Sequence, residues 1–132
     1  LRPEHVYLGP DPLVADCLEF NLELRTVDPA DELAYLVMEC EREGAMLIGP
    51  WLLQAYREAT GDRPPPDLVA FYKCQRAFLR ARIAIAHLDE PDVRDPEKWR
   101  GRTWSYLMLA ERYIPLFARP EPLSLDPQQI DD

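Results

Sequence analysis

The chain has 132 residues, 47% hydrophobic and 30% charged, enough for one domain with a buried core and unlike a disordered polymer. Acidic side chains number 24 against 15 basic ones, giving a formal net charge of -9. So acidic a chain repels nucleic acid, whose binding rests on Lys and Arg neutralising phosphates, and no run of it reads as a signal peptide or a membrane span.

Residues 5–8 (HVYL) and 13–16 (LVAD) are short β-prone runs around a Gly-Pro-Asp-Pro turn, which predicts a hairpin over 5–16 with a four-residue loop. With Leu8 opposite Leu13, Val6 faces Ala15 and His5 faces Asp16, an imidazole beside a carboxylate. A slip of one residue would send the two to opposite faces.

Helices follow at about 29–43, 47–60, 67–87 and 96–114. In the first, Asp28 is the expected N-cap, Pro29 the first helical residue and Asp31 a favourable charge at the positive end of the dipole. Leu33, Leu36, Val37 and Cys40 form its apolar stripe, Glu32, Glu39 and Glu43 are expected outward, and Gly44 stops it. The second helix places Trp51, Leu52, Ala55, Tyr56 and Ala59 on one stripe and ends at Gly61. The third, with Leu68, Phe71, Phe78, Leu79 and Ile85, is apolar on more than one side and so is expected to be central. The fourth opens on Asp95-Pro96, runs through Trp104, Leu107, Ala110 and Ile114, and should end or kink at Pro115.

Fourteen prolines, far above the usual share of about 5%, fall mainly between these segments. The run DRPPPD at 62–67 reads as a stiff connection. Residues 119–132 lack any apolar period and are expected to be an extended or disordered tail or linker. The fold class that results is mostly α (α+β): an N-terminal β-hairpin and a bundle of about four helices within residues 1–118. The chain begins at Leu1 and not at Met, so further sequence is expected upstream.

Cys17, Cys40 and Cys74 are scattered, no CxxC occurs, and His5 and His87 lie far apart, which excludes zinc-finger spacing. Free buried thiols in a reducing cytoplasm are expected. Trp51, Trp99 and Trp104 read as packing residues, Cys17 likewise, and His87 as a favourable charge near a helix C-terminus. Arg76, Arg80 and Arg82 form the one candidate basic cluster, open to ordinary ion pairing, to the acidic hairpin end or to a phosphorylated ligand. Asp16 and Glu19, at the end of an apolar run, are either exposed strand-end charge or oxygen ligands for a hard cation such as magnesium.

The stretches LRPEHVYLG, LVADCLEFN and RTVDPADELAYL, in that order, resemble the catalytic segment of the aminoglycoside phosphotransferase family, relatives of choline kinases and protein kinases. The likeness covers roughly the first 40 residues closely, and AYREATGD with LVAFYKCQRAFLRARIA resembles a subgroup of bacterial members. By this resemblance Leu1 is the Leu of a His-Gly-Asp-Leu stretch, so the catalytic Asp would immediately precede it and no catalytic residue lies in the chain. Asp16 takes the place of the metal-binding Asp and Glu19 that of an acid three residues later. His5 stands where the family has a metal-coordinating Asn, a departure that leaves it open to bonding Asp16 or a phosphate, to marking a lost ion site, or to a structural role. Asp28 and Asp31 match a helix-start motif, with Glu32 a departure, and Asp31 would tether the catalytic loop.

The chain holds no glycine-rich phosphate loop, nucleotide-lobe lysine or His-Gly-Asp. The resemblance therefore implies the C-terminal lobe of an ATP- and Mg2+-dependent small-molecule phosphotransferase, silent as this fragment and completed by an N-terminal lobe of the same protein. The acidic charge would steer a cationic phosphate acceptor; nucleic acid and membrane are not expected partners. The rival is a non-catalytic helical interaction or scaffold domain, or a degenerate pseudokinase in which His5 marks lost metal binding.

Overall fold

The computed structural model describes residues 2–15 and 26–118. A 3-10 turn at Pro3–His5 leads into the strands β1 (Val6–Tyr7) and β2 (Leu13–Val14), and the described residues from 26 on form the helices α1 (Pro29–Arg42), α2 (Ile48–Thr60), α3 (Pro66–Ala86) and α4 (Pro96–Phe117). A second 3-10 turn, His87–Asp89, sits between α3 and α4. The described residues are mostly helical with an antiparallel hairpin, as the periodicity predicts.

α1 begins and ends for local reasons. The Asp28 carboxylate accepts a hydrogen bond from the Ala30 N–H at 2.8 Å, with Pro29 at the first helical position. At the other end Gly44 takes φ +84, and the N–H groups of Gly44 and Ala45 bond the Glu41 and Cys40 carbonyls at 3.1 and 2.8 Å. That pair of bonds is a Schellman stop, which needs a residue free to enter the left-handed region.

α3 is central, packing on α4 most extensively and on α1 next. What it buries differs from the expected set. Ala70, Cys74, Ala77, Ala81 and Ala84 are buried at alternating spacings of four and three residues, whereas Phe71, Phe78, Leu79 and Ile85 are exposed. The small stripe lets α4 approach closely, since interaxial distance follows side-chain size at the contact. Tyr106, Leu109, Ala110 and Tyr113 of α4 fill the space and join Met38 of α1 in the core. α1 and α2 meet at buried Gly49, where a Cβ would lie 2.7 Å from Val37 Cγ1.

Four further expectations are corrected. Trp51 and Trp104 are not core residues: they are 69% and 65% exposed. Ala59, expected on the stripe of α2, is also exposed, and Gly49 is the residue that α2 buries fully. Glu39, expected outward, is 1% exposed. α4 passes through Pro115 to Phe117. Proline removes one N–H there, but so near the helix end only the bond to the Glu111 carbonyl is forgone, and the Ala118 N–H still reaches the Ile114 carbonyl at 2.9 Å.

Candidate functional site

The candidate site at the N-terminal hairpin is built on a register one residue from the expected one. Val6 pairs with Val14 and Tyr7 with Leu13, which leaves a five-residue loop, 8–12. The Ala15 N–H donates to the His5 carbonyl at 2.9 Å, so Ala15 and not Asp16 lies opposite His5. The sequence pattern fails here because Tyr7, Leu13 and Val14 are 58%, 61% and 56% exposed. With neither face buried, apolar alternation does not select a register.

His5 closes the 3-10 turn, its N–H bonded to the Arg2 carbonyl at 3.0 Å, and its Nε2 lies 3.1 Å from Arg2 Nη2. A guanidinium at that distance opposes a divalent cation at the same nitrogen. Asp16 and Glu19, the other expected ion ligands, and Cys17 lie outside the described residues. Among the described residues no three His, Cys, Asp or Glu side chains gather in a way that fits a metal ion. Of the expected ion ligands only His5 is described, with its Nε2 beside Arg2.

Asp28 and Asp31 hold helices together. The second carboxylate oxygen of Asp28 accepts from the Tyr72 hydroxyl at 2.9 Å. Asp31 receives Arg76 Nε and Nη2 at 2.7 and 2.6 Å, a two-pronged pair, and the same guanidinium reaches Glu32 at 3.1 Å. Arg76 and Arg80 thus follow the ordinary ion-pairing reading, while Arg82 is exposed. These bonds from Asp31 reach α3, and the Pro3–His5 turn packs against α1.

A polar cluster inside the α1–α3–α4 junction was missed by the sequence reading. Glu39 accepts from the Tyr106 hydroxyl at 2.7 Å and from Arg42 Nε at 2.9 Å, with Arg80 Nε 3.6 Å away. Arg80 also donates to the Tyr106 hydroxyl at 3.4 Å. Next to it Glu41 receives Lys73 Nζ at 2.8 Å and a short hydrogen bond from Tyr113. The signal was present: Glu39 follows Leu36 by three residues and precedes Cys40, so it falls on the apolar stripe.

Burial, and then the bond to Glu41, push the Tyr113 hydroxyl well above the ordinary tyrosine value. Burial also raises the Cys40 and Cys74 thiols, both free and buried, which makes them poor nucleophiles. His87 stacks on Trp99 with ring centroids 3.9 Å apart and pairs with Glu90 at 2.5 Å, which fixes the α3–α4 connection. No described helix is long and apolar enough to cross a membrane.

No family model and no solved structure matches the chain. Uncharacterised proteins of Mycobacterium tuberculosis, in two strains, and of Mycobacterium bovis are 40% identical to it over 80 residues. The matched stretch is 61% of this chain and 16% of each relative, so the chain spans only a small part of the length of these curated relatives.

Proposed function

We propose that the chain is the C-terminal lobe of an ATP-dependent small-molecule phosphotransferase and is not catalytic by itself. The observation that carries this reading is the order of elements under the three motif stretches. A 3-10 turn and a hairpin come first, and then a helix capped by Asp28 and packed against that turn. In this reading Asp16 holds the ion, and the acceptor-orienting aspartate precedes Leu1. When bound, magnesium neutralises the nucleotide phosphates. In this reading the residues of this chain supply the floor: Asp28 and Asp31 tie α1 to α3, and the 3-10 turn that leads into the hairpin packs on α1. An acidic lobe suits a cationic acceptor, and buried free thiols suit a reducing cytoplasm.

A second reading, a non-catalytic interaction domain, is favoured by the exposure of Leu47 at 87% and Trp51 at 69%. Both are tested on a protein that carries this chain together with the sequence preceding Leu1. Magnesium and ATP together should raise its Tm, and Asp16→Asn should remove most of the rise. No rise in the unmutated protein would leave the interaction reading standing alone.

A further inference from the structure

We propose that the cleft between the end of α1 and the first turns of α4 binds the phosphate group of a small phosphomonoester. The cleft has a volume of about 460 Å³ and is lined by Arg42, Glu43, Lys98, Gly101, Arg102 and Ser105. The site is distinct from the hairpin and does not depend on the phosphotransferase reading.

Its charge does not cancel. Arg42 is matched by the buried Glu39 carboxylate at 2.9 Å and by Glu43. Lys98 and Arg102 stand one turn apart on α4, facing the same space, and neither has a carboxylate within ion-pair distance among the described residues. Among the described residues Arg2, Lys73, Arg76, Arg80 and Arg100 have carboxylate partners outside the cleft, whereas Lys98 and Arg102 have none and line one cleft together.

The second observation is Arg102 Nε itself. It is shielded from solvent and has no hydrogen-bond partner, a costly state for a charged donor unless a ligand accepts from it. Arg57 Nε is in the same state, but α2 carries no second cation to share a ligand with it. Glu43 lines the cleft as well and is held by Arg42. Asp95 caps the Lys98 N–H at 3.1 Å and Glu90 holds His87. Glu4 feels Arg102 without forming an ion pair: burial raises its carboxyl, and its own backbone N–H with the charges of Arg2, His5 and Arg102 lowers it further than burial raises it.

Two cations one turn apart, Lys98 with its ammonium 5.4 Å from the Trp99 ring centroid, suit a dianionic oxygen cluster, since guanidinium hydrogen bonds phosphate directionally and ammonium adds a point charge. Gly101 keeps the wall between them low, as nothing lies within 4 Å of where its Cβ would be. The cleft has room for more than a bare phosphate, and the net charge of -9 disfavours a polynucleotide.

The test is an amide chemical-shift titration of the 132-residue chain with inorganic phosphate and with glycerol 3-phosphate, at constant ionic strength. Saturable shifts should centre on Gly101, Arg102 and Ser105. Lys98→Gln and Arg102→Gln should each weaken binding about tenfold, while Arg82→Gln should not change it. Lys98 is exposed, so its variant keeps the fold and the result interpretable. Equal shifts with sodium chloride alone, or unchanged titration in both variants, would overturn the proposal. Co-sedimentation with phosphatidic acid vesicles that Arg102→Gln abolishes would overturn the small-molecule source.

Discussion

Glu39 illustrates how a single side chain can govern a helical junction. A carboxylate at 1% exposure is tolerable only because Tyr106, Arg42 and Arg80 surround it. Removing it strands Arg80 and leaves Arg42 with Glu43 alone, so Glu39→Ala should lower unfolding free energy by roughly 3–5 kcal/mol. Tyr106→Phe removes one donor and keeps the ring, and should cost about 1–3 kcal/mol. Urea unfolding of the two variants measures both, and equal small losses would show the cluster to be incidental. Tyr113 gives the junction a pH dependence. Its folded-state value is raised above the ordinary 10.0, by burial first and then by Glu41. Its stabilisation is therefore complete below pH 10 and is lost as pH rises beyond it. Stability should fall on the alkaline side, and Tyr113→Phe should flatten that fall; Tyr35, also raised mainly by burial, leaves a residual slope. An unchanged slope in Tyr113→Phe would contradict this assignment.

Among the elements, the sequence read well wherever local chemistry decides. Caps and stops at Asp28, Pro29, Gly44, Gly61 and Asp95 placed the helices within a few residues. It read poorly wherever a partner decides. The bulky residues of α3 suggested the buried face, yet alanines and Cys74 are buried, because the choice depends on how closely α4 approaches. The hairpin register was equally hidden, since exposed strands carry no preference for either face. Of the expected site, His5 was located but with Arg2 for company, and Asp28 and Asp31 were recognised as helix-start residues without their ties to Tyr72 and Arg76. Long-range pairs of this kind have no local spacing to betray them. The small stripe makes its own prediction. Ala77 is 0% exposed against α4, so Ala77→Leu should destabilise the chain by about 1–3 kcal/mol through overpacking, whereas the same change at exposed Ala86 should be nearly neutral. Comparable Tm values for the two variants would refute close α3–α4 packing.

At the scale of the molecule, an acidic helical unit presents Leu47, Trp51, Phe78 and Trp104 outward while burying the Glu39 carboxylate in the α1–α3–α4 junction. Exposed bulk of this kind suits a surface that meets another part of a larger protein, consistent with relatives of which the matched stretch is 16%. The central claim is that the hairpin forms the ion-bearing floor of a nucleotide site. Manganese, standing in for magnesium with ATP, tests it most directly through paramagnetic broadening of backbone amides in a protein that includes the sequence before Leu1. Val6, Val14 and Ala15 should broaden first, and Asp16→Asn should restore their signals. Broadening centred elsewhere, or identical in that variant, would contradict the account.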